Sequence, residues 1–184
     1  MKKHFLAIPY MVIVFAATLS LAGCKDGKPS DLLPKSYSFD LEKSLSFDLQ
    51  KAPALGQITL SDVKLSIDMD SALAANGLSS FTVSKVQTRS VAVNTETPGA
   101  NLDAFDSLAL FVTASNLPEA RIAYKYGIPN DIKSLDMDVD DVNIAEYLKE
   151  KPTNLKIKAT LGDSIKQDMT LNANIIFKID VSRK

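Results

Sequence analysis

The sequence predicts an all-β fold, an antiparallel β-sandwich with one short helix near residues 143–150. Three observations predict it. Apolar and polar residues alternate with a period of two through most of residues 36–184, turn residues separate the alternating runs, and only one segment carries a strong helix signal. About seven to nine strands in a single domain favour an immunoglobulin-like Greek key, with a small barrel as the alternative.

The first strand is predicted by a short internal duplication. Residues 36–43 read SYSFDLEK and residues 44–51 read SLSFDLQK. The apolar residues fall on odd positions from Tyr37 to Leu49, so one face of the segment is apolar. The segment is either one long edge strand or two short strands with a kink near Lys43.

The next segments alternate again, with one change of parity. The apolar residues at 58 and 60 have one parity and those at 63–69 have the other, which predicts a bulge or turn at Ser61–Asp62. Residues 71–76 can form one helical turn that ends at Gly77. The valines from Val83 to Val93 predict either a strand pair or one bent strand.

A hairpin is predicted in the middle of the chain. Residues 108–114 are almost continuously apolar, which is typical of a strand buried on both faces. Residues 120–125 alternate and form its partner strand. Tyr124 and Tyr126, together with Lys125, are a candidate aromatic binding surface. The alternation favours the other interpretation, in which both tyrosines face the core.

The helix near residues 143–150 is predicted from its ends. Asn143 can cap the first turn, and Glu146 stands three residues later, where it can reach back to the Asn143 backbone N–H. Lys149 suits the negative end of the helix dipole, and Pro152 stops the helix. A long final strand follows at residues 169–181, where every odd position is apolar.

The rare residues exclude several chemistries. The only histidine is His4 and the only cysteine is Cys24. A domain without either residue type lacks the imidazole of a Ser-His-Asp triad, a catalytic thiolate and the usual zinc ligands. The net charge of -1 argues against a nucleic-acid partner. We therefore expect no cofactor and no catalytic residue.

Three aspartates are weak candidates for a metal site. Asp136, Asp138 and Asp140 begin like a calcium loop, but Asp141 stands where the turn glycine belongs and Tyr147 where the bidentate glutamate belongs. On a strand the three aspartates share one polar, solvated face. That second interpretation is the favoured one, so no metal is expected.

Residues 1–24 have the three parts of an export signal. A basic start at residues 1–4 precedes an apolar run over residues 5–19. Leu21, Ala22, Gly23 and Cys24 follow, and they closely resemble the lipobox of bacterial lipoproteins. The resemblance implies that a signal peptidase recognises residues 21–23 and cuts before Cys24, whose thiol carries a diacylglycerol. A plain transmembrane anchor is the alternative, because the apolar run could span a bilayer.

The resemblance also divides the chain and places it in the cell. Residues 1–23 become the signal peptide that is removed, residues 24–35 the lipidated cysteine and a flexible tether, and residues 36–184 the domain. In enterobacterial lipoproteins an aspartate after the cysteine retains the protein in the inner membrane. Lys25 therefore favours the outer membrane, while the periplasmic and surface faces both stay open.

The function that follows is a lipid-anchored cell-envelope protein whose β domain is a non-catalytic binding or structural module. Its partners are the membrane, through the lipid, and a protein or glycan that the sequence does not identify. Two alternatives remain. One is a hydrolase of envelope glycans with paired carboxylates, although no pair of acids stands out. The other is a calcium-stabilised adhesion-type domain.

Overall fold

The structure, a computed structural model, describes residues 35–183 apart from residues 52–55. The predicted cleavage and lipidation residues, Leu21, Ala22, Gly23 and Cys24, lie outside the described residues, as does all of the predicted tether except Lys35. In the described part of the chain, no helix is long and apolar enough to cross a membrane.

The described domain contains eight strands and two short helices. The helices are α1 (Met69–Ala75) and α2 (Ala145–Lys149). The strands are β1 (Ser36–Leu49), β2 (Gly56–Lys64), β3 (Phe81–Thr95), β4 (Phe105–Ala114), β5 (Leu117–Tyr126), β6 (Ser134–Val139), β7 (Thr153–Leu161) and β8 (Met169–Arg183).

The strands form one curled antiparallel sheet in the order β1-β8-β3-β6-β5-β4-β7-β2. It consists of a first half-sheet, β1-β8-β3-β6, and a second half-sheet, β5-β4-β7-β2. Only two residue pairs, Ala123–Val139 and Tyr124–Asp138, join β5 to β6 between the halves. β1 pairs with β8, β2 with β7, β3 with β6 and β4 with β5. The two halves of the described chain therefore form one long antiparallel ribbon, which is rolled up into the curled sheet.

The predicted all-β antiparallel sandwich is confirmed. Its Greek-key connections are those of a jelly roll rather than those of an immunoglobulin domain. Alternation identifies which face of a strand is apolar but not which strand lies beside it. For that reason the elements could be predicted from the sequence, whereas the pairing of β1 with β8 across most of the chain could not.

The centre of the core is β8. Its odd-numbered side chains from residue 169 to residue 181 are all buried, as the alternation predicts. Phe177 is fully buried, and so is Phe47 of β1. β8 pairs with β1 on one side, from Ser36–Ser182 to Leu49–Met169, and with β3 on the other. It therefore holds both ends of the described chain in the same half-sheet.

β1 is one continuous edge strand, which was the first of the two interpretations of the duplication. Its apolar odd positions from Phe39 to Leu49 face inward and pack on the core, while its even positions form a polar outer row. Ser44 and Ser46 of that row donate hydrogen bonds to Asn174 and Asn172 at 2.7 and 2.8 Å. Lys43 interrupts the inward apolar row and is half-buried.

The strand irregularities in β2 and β3 match the predictions. The pairing of β2 with β7 shifts between Thr59 and Ser61, so the predicted bulge is present but lies at Leu60, one residue before the predicted Ser61–Asp62. β3 is one bent strand with two register shifts rather than a strand pair. α1 ends before Gly77, whose φ of 70° is the left-handed conformation that glycine adopts easily.

α2 is confirmed near residues 143–150, but its start differs from the predicted capping box. The helix begins at Ala145 and its N-cap residue Ile144 has no side-chain cap. Asn143 Oδ1 accepts hydrogen bonds from Ala145 N at 3.1 Å and from Val86 N of β3 at 3.0 Å. The contact with β3 occupies Asn143, and Glu146 pairs with Lys149 instead of reaching back.

Thr88 of β3 provides a test of the core. Its Oγ1 is buried and has no hydrogen-bond partner among the described residues. Replacing a hydroxyl without a partner by a methyl group removes a desolvation cost, so we expect Thr88→Val to raise the free energy of unfolding by about 1 kcal/mol. Thr82→Val, at an exposed position of the same strand, is the control. Urea denaturation of both variants measures the difference, and a destabilised Thr88→Val would contradict this packing.

Candidate functional site

A β-bulge in β5 decides which side chains the second half-sheet presents to solvent. Arg121 lies opposite Phe111 of β4, but Ala123 lies opposite Leu110, so Ile122 is an extra residue in β5. Ile122 and Ala123 are both fully buried. An extra residue reverses the inward and outward alternation of everything that follows it.

The bulge therefore turns Tyr124 and Tyr126 outward. The interpretation that both tyrosines face the core is wrong, because it assumed unbroken alternation from Ile122. Tyr124 lies opposite Ala109 and Tyr126 opposite Ser107, on the outer face of β4. The side chain of Tyr126 is 62% exposed, and the two rings are 5.2 Å apart between centroids.

We call Phe111, Arg121, Tyr124 and Tyr126 the tyrosine face. Arg121 connects its members. The guanidinium carbon lies 4.1 Å from the centre of the Tyr124 ring, which is a cation–π contact. Arg121 Nη1 also donates a hydrogen bond to the Tyr126 hydroxyl at 3.1 Å. One side chain therefore fixes the positions of both rings.

Asp140, just beyond β6, holds Arg121 in this position. Arg121 Nε donates to Asp140 Oδ2 at 2.7 Å, and Arg121 Nη2 donates to Oδ1 at 3.3 Å. This two-pronged contact matches the planar shapes of guanidinium and carboxylate. It also raises the pKa of Arg121 above its usual value. Contacts within the domain thus hold the side chains of the tyrosine face in place.

A second group of charges borders the face on the β7 side. Glu119 of β5 accepts hydrogen bonds from Lys158 and from Lys156, the latter at 3.1 Å. Lys158 Nζ also lies 4.5 Å from the centre of the Phe111 ring. The hydrogen bond from Lys158, followed by that from Lys156, lowers the pKa of Glu119 although partial burial opposes the shift.

The three candidate metal ligands separate into different environments. Asp140 binds Arg121, and Asp138 forms an ion pair with Lys125 at 3.4 Å. Asp136 is exposed and lies opposite Ala92 of β3, in the first half-sheet. Within the described residues, no three acidic, histidine or cysteine side chains come together as a metal cluster. Two of the candidates, Asp138 and Asp140, instead form ion pairs beside the tyrosine face.

The arrangement suits contact with a broad surface. Phe111 and the tyrosines supply apolar area, and side chains of both charge signs surround them. The sequence singled out the tyrosines but missed Phe111, Arg121 and Glu119. Phe111 stands in a run predicted to be buried on both faces, whereas only one face of β4 is fully buried. Its outer face is half-buried, and Phe111 belongs to it.

Comparisons with known proteins define no family. No protein-family model matches the chain, and no curated protein shows significant similarity to it. The chain resembles the capsid structure of Helicobacter pylori bacteriophage KHP30, with 7% identity over 79% of this chain and 99% of that chain, at a TM-score of 0.32.

Two further viral structures are similar in the same distant way. Desmodium yellow mottle tymovirus matches with 12% identity over 91% of this chain and 97% of that chain, at a TM-score of 0.30. The Gx strain of infectious bursal disease virus matches with 9% identity over 88% of this chain and 41% of that chain, at a TM-score of 0.28. Scores this low carry no argument about function.

Glu119 predicts a pH-dependent contribution to stability. Its folded-state pKa is depressed by Lys158 and Lys156, so the contribution is present above the unfolded glutamate pKa of about 4.3 and is lost as the pH falls through the folded value. We expect Glu119→Gln to be less stable than wild type at pH 7, and we expect the difference in stability to be smaller at about pH 3.

Urea denaturation at both pH values measures this difference. Glu96→Gln is the matched control, because Glu96 is exposed and forms no ion pair with any other described residue. If the free energy of unfolding of Glu119→Gln differed from that of wild type by the same amount at both pH values, the stabilising role of the ion pairs would be contradicted.

Proposed function

We propose that this chain is a lipid-anchored protein of the bacterial cell envelope, held at the outer membrane, and that its β domain is a non-catalytic binding module. The tyrosine face is the proposed binding surface. A protein of the envelope is the proposed partner. Whether the domain faces the periplasm or the cell surface is a separate question that the partner's own location would answer.

The proposal of a lipid anchor is supported by the order of signals in residues 1–24. The basic start, the apolar run and the Leu21-Ala22-Gly23-Cys24 motif follow one another at the spacing that export and lipidation require. More than one acyl chain gives a stable anchor, as lipoprotein maturation provides. Lys25 after the cysteine supports delivery to the outer membrane.

The observation that carries the binding role is the bulge at Ile122. Bulges commonly re-aim side chains next to functional sites. Here the extra residue turns two neighbouring tyrosines outward that unbroken alternation would have buried, and Tyr126 is exposed while Tyr124 is half-buried. Exposing a ring such as Tyr126 forgoes the burial of apolar area, so a partner that covers it is a physical reason for the arrangement.

The chemistry of the face favours a protein partner. Tyrosine and arginine are enriched at the energetic centres of protein interfaces, where both combine apolar area with hydrogen bonds. Arg121 and Tyr126 are already oriented by Asp140 and by each other, which lowers the entropy lost on binding. The non-catalytic role is supported by the lack of histidine and cysteine in residues 25–184.

The anchor can be tested with Cys24→Ser. We expect the wild-type chain to incorporate labelled fatty acid and to partition with membranes, and the variant to lose the label and to retain its leader, since the thiol is the lipid acceptor. Mass spectrometry of the purified product and gel mobility measure both effects. Lipid label that persists in Cys24→Ser would contradict the proposal, and so would a wild-type product that keeps Met1.

The binding face can be tested by site-specific photocrosslinking in cells. A photoreactive phenylalanine analogue at position 126 is expected to give a discrete adduct with one envelope protein. The same analogue at Tyr37 is the matched control, because that tyrosine is also exposed but lies on β1 in the first half-sheet.

The adduct from position 126 is expected to fall about tenfold when Tyr124→Ala is added, because a central aromatic residue contributes more than 1 kcal/mol to an interface. Identical adducts from positions 37 and 126 would contradict a specific face. An adduct that is insensitive to Tyr124→Ala would do so as well.

A further inference from the structure

A groove distinct from the tyrosine face lies where β1 meets the segment that follows β2. Its volume is about 780 Å³, which falls in the range of small-molecule sites. Residues 64–70 form one wall, Lys43 of β1 another, and Leu148 with residues 151–153 the third. We call it the lysine groove, because Lys43, Lys64 and Lys151 all line it.

Lys43 is the unusual member. It lies opposite Ile175 of β8, a buried residue, on the inward side of β1. Every other inward position of this strand is apolar. A lysine in an inward-facing apolar row keeps its charge hydrated only if the aliphatic part of its side chain extends toward an opening. The groove is that opening. A methionine would pack there without this constraint.

The positive charge of the groove is only partly balanced. Lys43 and Lys64 make no ion pair or side-chain hydrogen bond with any described residue. Two carboxylates, Asp68 and Asp70, also line the groove, and Asp68 is the N-cap of α1. It accepts hydrogen bonds from Ser71 Oγ at 2.7 Å and from Ser71 N at 3.1 Å, and these bonds lower its pKa.

Four apolar side chains also line the groove. Leu65 is buried, and Ile67, Met69 and Leu148 are half-buried, so the floor of the groove is hydrophobic. Thr153 Oγ1 donates hydrogen bonds to the carbonyls of Tyr147 and Glu150 at 2.6 and 2.8 Å. These bonds fix the wall that carries Lys151.

We propose that the lysine groove binds an anionic amphiphile, a molecule with a phosphate or carboxylate head and one acyl chain. The head lies among the ammonium groups of Lys43, Lys64 and Lys151. The chain lies along Leu65, Ile67, Met69 and Leu148. Three lysines against two aspartates leave the groove with a net positive charge beside an apolar floor, which matches such a ligand in both charge and polarity, whereas an anion without a chain would leave the floor uncovered.

The test uses the mature, lipidated protein in phosphatidylcholine nanodiscs and a fatty acid that carries a photoreactive diazirine. Label is expected in the peptides that contain residues 64–70 and 148–153, and dodecyl phosphate is expected to compete it away. Inorganic phosphate at the same concentration is expected to leave the label in place. The corresponding diazirine alcohol, which has no charge, is expected to label these peptides weakly.

The variant Lys43→Met distinguishes a loss of ligand binding from a loss of folding. The substitution restores the apolar row, so the melting temperature is expected to stay equal or rise, while half-maximal labelling requires about tenfold more probe. Lys43→Arg is expected to retain labelling. The triple variant Lys43→Gln, Lys64→Gln, Lys151→Gln is expected to lose labelling, and the triple variant Lys85→Gln, Lys133→Gln, Lys166→Gln, outside the groove, is the matched control.

Three results would overturn the proposal. They are equal labelling by the fatty acid and the alcohol, full displacement by inorganic phosphate, and unchanged labelling of a folded Lys43→Met protein. Tyr124→Ala is expected to leave the labelling intact, so failure at the groove and failure of the tyrosine face are distinguishable.

Discussion

The structure depends on β8 lying between β1 and β3. The inward side chains of β8 are buried along the whole strand, and its neighbours come from the start and the middle of the domain. Because the strands are paired from the outside of the chain inward, neither half-sheet is made of four consecutive strands. Closing such distant contacts is entropically expensive, and the long continuous apolar row of β8 provides the burial that offsets it.

The same winding determines where the two candidate surfaces lie. β5 is joined to β6 by only two residue pairs, so the chain beyond β6 can diverge and bring Asp140 to Arg121. The tyrosine face forms at this seam between the half-sheets. At the two ends of the strand order, β1 and β2 are the edge strands, and the lysine groove is lined by residues from β1 and from the end of β2.

Much of the local structure could be predicted from the sequence, and the exceptions have identifiable causes. The alternation located β1 and β8, and a parity change located the bulge in β2. The bulge in β5 produced no such signal, because Ile122 and Ala123 are both apolar enough to be buried in succession. The orientation of Tyr124 and Tyr126 was therefore predicted incorrectly. Arg121 and Phe111 could be associated only once β4 and β5 were in register.

The two candidate surfaces were likewise only partly predictable from the sequence. A lysine in the apolar row of β1 was visible in the sequence as a break in the pattern, but its neighbours Lys64 and Lys151 come from distant segments. The capping role of Asn143 was partly predictable. The competing bond to Val86 was not, because it depends on how β3 packs against the start of α2.

The pairing of β1 with β8 is the contact on which this account rests, and a designed disulfide tests it most directly. Ser44 and Asn174 are opposite residues on the outer face, so cysteines placed there in a Cys24→Ser chain satisfy the distance that a disulfide requires. The observed pairing predicts rapid oxidation to one intramolecular bridge in the folded protein. A pair at Ser44 and Lys178, displaced by about 13 Å along β8, is predicted to stay reduced. A disulfide between positions 44 and 178, without one between positions 44 and 174, would contradict the register of β1 against β8 and the strand order that depends on it.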